Sequence, residues 1–188
     1  VANQNLSFGL GMRSERIQAE LVSGNYFQAL GVSAQLGRTL LPSDNLAPGQ
    51  HPVVVLSDTL WRRQFAADAS VIGTTVHLNA QPLTVVGVAA PSFHGTIVSF
   101  EVEAFVPIVM AETVGRIASK PGQTALSDRQ IPFVIVSGHL RPGITLADAS
   151  SEVAVLSAQL DATAPADAQP QTLAVGPFWN SPFGAQTY

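Results

Sequence analysis

An α+β fold is predicted by three features of this sequence. Ile17, Ala19 and Leu21 alternate with Arg16, Gln18 and Glu20, the period of a half-buried strand. The unbroken run Val53-Val-Val-Leu56 suits a strand covered on both faces. Leu146, Ala149, Val153, Leu156 and Leu160 recur at the spacing that lines one face of a helix. Strand, helix, then strand, helix, strand is the order of two split β-α-β halves with a β-rich stretch between them.

The elements follow in order. Residues 1–15, with Gly9 and Gly11, read as a terminal segment holding a short strand. After the strand Arg16 to Val22, Gly24 and Asn25 are expected to supply positive φ, and Tyr26, Phe27 and Leu30 form a short helix that Gly31 caps. Pro42, Ser43 and Asp44 make a polar corner. Ser57 is placed to cap a helix running to about Ala67, with Asp58 in its first turn and Leu60, Trp61 and Phe65 facing inward.

Thr74 to Leu78 and Leu83 to Val88 read as a hairpin turning at Asn79. Ala80 follows, and its resistance to positive φ favours a loop longer than two residues. Gly87 marks a bulge or a close backbone approach. Residues 101–108 are expected to add a strand ended by Pro107, followed by a short helix from about Ile108 to Arg116 and a loop over 117–130. Phe133 to Leu140 has strand character, Thr145 and Asp148 make a capping box for the long helix, and Pro165 ends it. Thr172 to Val175 reads as a last strand before an irregular tail.

Composition narrows the function. The chain has 46% hydrophobic residues and only 12% charged ones, about half the usual share of roughly 25%. Its net charge is −4 and Lys120 is its one lysine, which argues against a nucleic-acid partner. Arg62 and Arg63 read as a solvated helix face. Without cysteine there are no disulfides, thiolate metal sites or thiol nucleophiles. No apolar run approaches the roughly 18–20 residues that span a bilayer, and the chain is expected to be a soluble piece of a longer protein.

No catalytic residue, cofactor or metal is expected. His51, His77, His94 and His139 lack metal-ligand spacing. Ser57-Asp58 has no nucleophile-elbow frame. Glu101 and Glu103 point the same way if they lie on a strand, and read as a solvent-facing edge. No phosphate-cradling glycine motif is present, so any ATP-dependent step lies elsewhere. Phe178, Trp179 and Phe183 lie in a proline-bounded tail, where they either anchor a partner or pack back over the sheet.

Four stretches in order over residues 16–160 carry a family resemblance: Gly24-Asn-Tyr-Phe…Leu30-Gly-Val32 followed by Leu36-Gly-Arg38 and Asp44; Pro52 to Phe65; Val71 to Val88; and Leu140 to Ala149. Together they are similar to the MacB-like periplasmic core domain of ABC transporter permeases related to MacB and FtsX. The resemblance implies a porter-like split β-α-β subdomain built from residues 1–45 and 130–188, interrupted by a smaller β-rich, sabre-like subdomain over residues 46–129. It implies a non-catalytic extracytoplasmic domain at the cell inner membrane that couples ATP-driven helix motion to export or other work outside the membrane. The implied partners are a second permease copy, an ABC ATPase domain or subunit and a periplasmic adaptor protein, with membrane contact only through flanking helices. A free fragment is then expected to be monomeric. The alternative is a periplasmic sensor or docking module that binds an adaptor or a small ligand.

Overall fold

The computed structural model describes residues 1–11, 13–96, 101–115, 117, 124–127, 134–164 and 173–177. Among these residues seven strands and three α-helices appear in the order β1 (Ala2–Leu10), β2 (Arg13–Val22), α1 (Tyr26–Leu30), β3 (Ala34–Gly37), β4 (Val53–Leu56), α2 (Asp58–Phe65), β5 (Thr75–Leu78), β6 (Gln81–Ala89), β7 (Ala104–Pro107) and α3 (Leu146–Ala162).

The first strand is far longer than expected. Leu6 and Phe8 alternate with Asn5 and Ser7, and β1 pairs with β2 along its whole length, from Ala2 opposite Leu21 to Leu10 opposite Arg13. The strands follow one another as β3-β6-β4-β7-β2-β1-β5, and β5 also pairs with β6. The sheet therefore closes on itself through six strands, leaving β3 beside the far half of β6. β1 to β3 and β4 to β7, on either side of the division expected at residues 45 and 46, contribute to this one sheet.

Strand alternation sorts the apolar side chains into two cores. Leu6, Phe8, Ile17, Leu21, Val54, Leu56, Val76, Leu83, Val85 and Val106 pack together with Leu60 of α2. On the opposite face Val22, Val55, Ala89 and Phe105 pack under Tyr26 and Phe27 of α1. Thus β4 is covered on both faces, as its unbroken apolar run predicts.

Several local expectations hold. Ser57 Oγ accepts from Leu60 N at 3.1 Å, Gly31 caps α1 at φ 67°, and Thr145 and Asp148 form the capping box of α3. Gly87 shows both features expected of it: the β4–β6 register slips there, and a Cβ would meet Arg38 O at 2.0 Å.

Others are corrected. The β5–β6 connection is a two-residue turn after all, with Leu78 opposite Gln81 and with Asn79 and Ala80 at φ 48° and 68°. Asn79 makes it hold: its N–H donates to Ser7 O, its Oδ1 accepts from Ser7 N, and its Nδ2 donates to Val114 O, each within 2.9 Å. Asn25 stays at φ −92°. Gly24 is needed for space, because a Cβ would meet Leu41 O at 2.3 Å. β7 starts only at Ala104, where pairing to Ala19 begins, so Glu101 and Glu103 are not a strand pair. The helix expected after Pro107 is a single 3₁₀ turn, Ile108–Met110. Neither 134–140 nor 173–175 forms a strand. Ile135 exchanges hydrogen bonds with Val1, and Val136 is 89% exposed.

Candidate functional site

Catalytic chemistry has no assembled site among the described residues. Ser57 is buried and committed to its cap. His77, His94 and His139 are exposed and scattered, and no group of three metal-ligating side chains occurs among the described residues. Glu103 pairs with Arg63 at 2.5 Å, and Arg63 also reaches Glu15 at 2.9 Å. Arg62 bonds Asp58 at 2.7 Å, which holds the Asp58 carboxyl below its usual range. The adjacent arginines thus tie α2 to itself, to β2 and to the start of β7.

Three other places remain as surfaces or inner sites. The first is an open depression of about 470 Å³ beside the β5–β6 turn, lined by Asn5, Ser7, Arg16, Asn79, Ala80 and Gly115. Ser7 and Arg16 are cross-strand partners, so the pleat presents both on the outer face of the hairpin.

The second is α3. Its apolar face forms at the expected spacing, yet Leu146, Leu156 and Leu160 are 37%, 47% and 46% exposed. Ser157 is the buried residue of this helix among those described, and its Oγ accepts from Leu173 N at 3.1 Å. Phe178, Trp179 and Phe183, expected as partner contacts, lie outside the described residues.

The third was hidden in the sequence. Tyr26, Phe27, Phe93 and Phe105 stack edge-on or tilted with ring centroids 5.2–6.1 Å apart. Beside them Glu20, read from alternation as a solvent-facing residue, is fully buried. Alternation does place it away from Ala19 and Leu21, but α1 and the segment after β6 cover that face. Tyr26 Oη donates to Glu20 Oε2 at 2.6 Å, and Thr96 N donates to Oε1 at 3.2 Å. Burial pushes the Glu20 carboxyl up in pKa, against these hydrogen bonds. Burial and the adjacent Glu20 push the Tyr26 phenol well above its ordinary range.

The comparisons follow from this architecture. The extracellular domain of the noncanonical ABC-type transporter YknZ from Gram-positive bacteria is 21% identical, with a TM-score of 0.50 over 61% of this chain and 56% of that one. A domain of a putative permease from Porphyromonas gingivalis is 14% identical, with a TM-score of 0.56 over 84% of this chain and 61% of that one. The periplasmic region of MacB from Actinobacillus actinomycetemcomitans is 19% identical, with a TM-score of 0.49 over 69% of this chain and 62% of that one. The chain spans about three fifths of the length of these solved domains. No curated protein matches it. The α+β fold expected from sequence is the fold found, with few helices among many strands. The model of the MacB-like periplasmic core domain matches residues 1–156, and the chain belongs to that family of ABC transporter permease domains.

Proposed function

We propose that this domain is a non-catalytic, extracytoplasmic part of an ABC transporter permease, which passes ATP-driven motion of membrane helices to export or to other work outside the membrane. The observation that carries the reading is where the family's residues stand: Gly24, Arg38, Asp44, Ser57 and Asn79 serve turns, caps and close approaches. They build a closed run of strands, with no reacting group assembled among the described residues. Within this proposal residues 1–45 and 130–188, with α3, belong to the porter-like unit and residues 46–129 to the sabre-like insertion, both contributing strands to the one sheet. The partners proposed are a second permease copy, an ABC ATPase and a periplasmic adaptor, with the domain outside the inner membrane.

The chain has no cysteine, which makes a direct test simple. Ser70→Cys, at an exposed position, is introduced into the intact membrane protein and treated in whole cells with a membrane-impermeant maleimide. Labelling without lysis of the cytoplasmic membrane is expected; labelling only after lysis overturns the placement. The second reading, a docking or sensing module, is favoured by the depression beside Arg16. A saturable complex formed by the domain and lost in Arg16→Gln is its signature.

A further inference from the structure

Alternate residues of β1 turn their backbone groups toward β2, and the residues between them turn theirs the other way. Ser7 belongs to the second set: its N–H donates to Asn79 Oδ1 and its C=O accepts from Asn79 N. Val1 shares that parity and exchanges both of its backbone hydrogen bonds with Ile135. Asn3 and Asn5 lie between the two at the same parity, so their N–H and C=O groups also face away from β2. β5 does not reach them, because its pairing with β1 covers Phe8 and Gly9. Among the described residues nothing bonds these backbone groups of Asn3 and Asn5. A row of unpaired N–H and C=O groups is a template for another strand.

The opening is short and bounded. From Val1 to Ser7 the strand advances about 20 Å at roughly 3.4 Å per residue, with Ile135 across from one end and Asn79 across from the other. An occupant therefore has room to pair opposite Asn3, Gln4 and Asn5 and must leave the line of the strand at both ends. Beside Asn5 and Ser7 lies the open depression of about 470 Å³, which gives access from solvent.

The chemistry of the occupant is specified too. Arg16 stands opposite Ser7, on the face that Asn5 and Ser7 share. It is exposed and, unlike Arg38, Arg62 and Arg63, pairs with no carboxylate among the described residues. Gln18 Nε2 donates to Asn5 Oδ1 at 2.7 Å, which leaves Asn5 Nδ2 as a donor without an acceptor. No acidic side chain is among the described residues that line the depression. At the other end of the opening, Asn3 Oδ1 and Nδ2 are buried without a hydrogen-bond partner, and a residue seated opposite Asn3 would set its side chain beside that amide.

We propose that β1 is the acceptor edge for a short extended segment of a partner protein, which pairs its backbone with Asn3 and Asn5 and sets an acidic side chain against Arg16. This rests on the docking reading of the same depression. Backbone pairing supplies affinity for any extended chain, and the guanidinium selects the acidic one and fixes its register.

The test uses the whole 188-residue chain and a five-residue peptide blocked at both ends, Thr-Val-Glu-Val-Thr, followed by NMR. Without peptide, the Asn3 and Asn5 amide protons are expected to exchange with solvent faster than those of Gln4 and Leu6, which face β2. Slow exchange at Asn3 and Asn5 in the peptide-free chain would mean that another part of this chain fills the edge, and overturns the proposal. The peptide is expected to bind saturably and to slow exchange at both amides. Two further peptides, one N-methylated at the glutamate and the other at both valines, separate strand pairing from charge attraction. Only alternate amides of an added strand face β1, so one of the two is expected to lose binding and the other to keep it. Arg16→Gln, or glutamine in place of the peptide's glutamate, is expected to weaken binding about two- to fivefold. Absence of saturable binding, or binding indifferent to both charge changes, overturns the proposal. A peptide that needs Arg16 but tolerates both methylations removes the strand pairing and leaves the docking reading standing. The docking reading fails by a different result, when no partner of the intact permease binds less tightly to Arg16→Gln.

Discussion

Arg38 holds Asp44 with both guanidinium nitrogens, Nη1 to Oδ2 at 2.6 Å and Nη2 to Oδ1 at 3.0 Å. Asp44 Oδ2 also accepts from Leu41 N at 2.9 Å, so a single carboxylate closes the corner where the chain leaves β3. Asp44→Asn keeps the shape and loses the charge. It is expected to destabilise the domain by about 1.5–3 kcal/mol in urea unfolding, the range for hydrogen bonds to charged groups. A change below about 0.5 kcal/mol would show the pair to be ornamental.

The same pair sets an acid limb. Burial raises the Asp44 carboxyl, but the Arg38 and Leu41 hydrogen bonds and the guanidinium charge outweigh it and leave it lowered. A lowered carboxyl contributes stability that is fully present above its unfolded value of about 3.9 and is lost as pH falls through the folded value. Unfolding followed against pH should therefore show a steeper acid limb in the wild type than in Asp44→Asn. Parallel limbs would contradict this.

Ala80 sits at φ 68° in the β5–β6 turn. An L-residue there is strained by about 1–2 kcal/mol, partly offset by the greater backbone entropy that glycine loses. Ala80→Gly is expected to stabilise the domain by about 0.5–1 kcal/mol and to raise the thermal midpoint by about 1–4 °C. A lowered midpoint would mean that the turn relaxes at no cost.

Gly87 is the opposite case. A Cβ at this position meets Arg38 O at 2.0 Å, and the Arg38 backbone is held beside β6 by its N–H to Val86 O. Gly87→Ala is expected to cost about 3 kcal/mol in urea unfolding. A cost under about 1 kcal/mol would show that β3 moves aside freely.

Burial separates two leucines that look alike in sequence. Leu60→Ala empties part of the ring and should cost about 2–5 kcal/mol. Leu156→Gln on the exposed face of α3 should change stability by no more than about 0.5 kcal/mol in this chain. Equal costs in chemical denaturation would mean that α3 is packed in solution.

Local elements were legible where one short pattern specifies one structure. Ser57 before Leu60, Thr145 before Asp148 and the alternation around Ile17 each act within a few residues. Ring closure was not legible, because it depends on pairing Phe8 with Leu78 and Ala19 with Ala104. The apolar Phe133 to Leu140 run looked like a strand for the converse reason: its side chains suit a sheet, but residues 134–140 join no strand of the sheet and Ile135 bonds Val1 instead. Ala80 was misread because Asn79 supplies tertiary bonds that outweigh an unfavourable turn residue. At the candidate site, Glu20 carries the same letter as a surface glutamate, and only the cover formed by Tyr26 and Thr96 makes it an inner group.

Closing the ring also governs how the chain comes to be folded. β2 lies parallel to β7, and Ala19 finds Ala104 only after nearly the whole sheet-forming sequence has left the ribosome. Until then the β1–β2 hairpin carries Ile17 and Leu21 with nothing to enclose them. Long-range pairing of this kind slows folding to about the millisecond-to-second range and leaves a sticky intermediate on the way. Nascent chains that stop before β7 should be the ones that need a chaperone, and completion of four residues, Ala104–Pro107, should end that need.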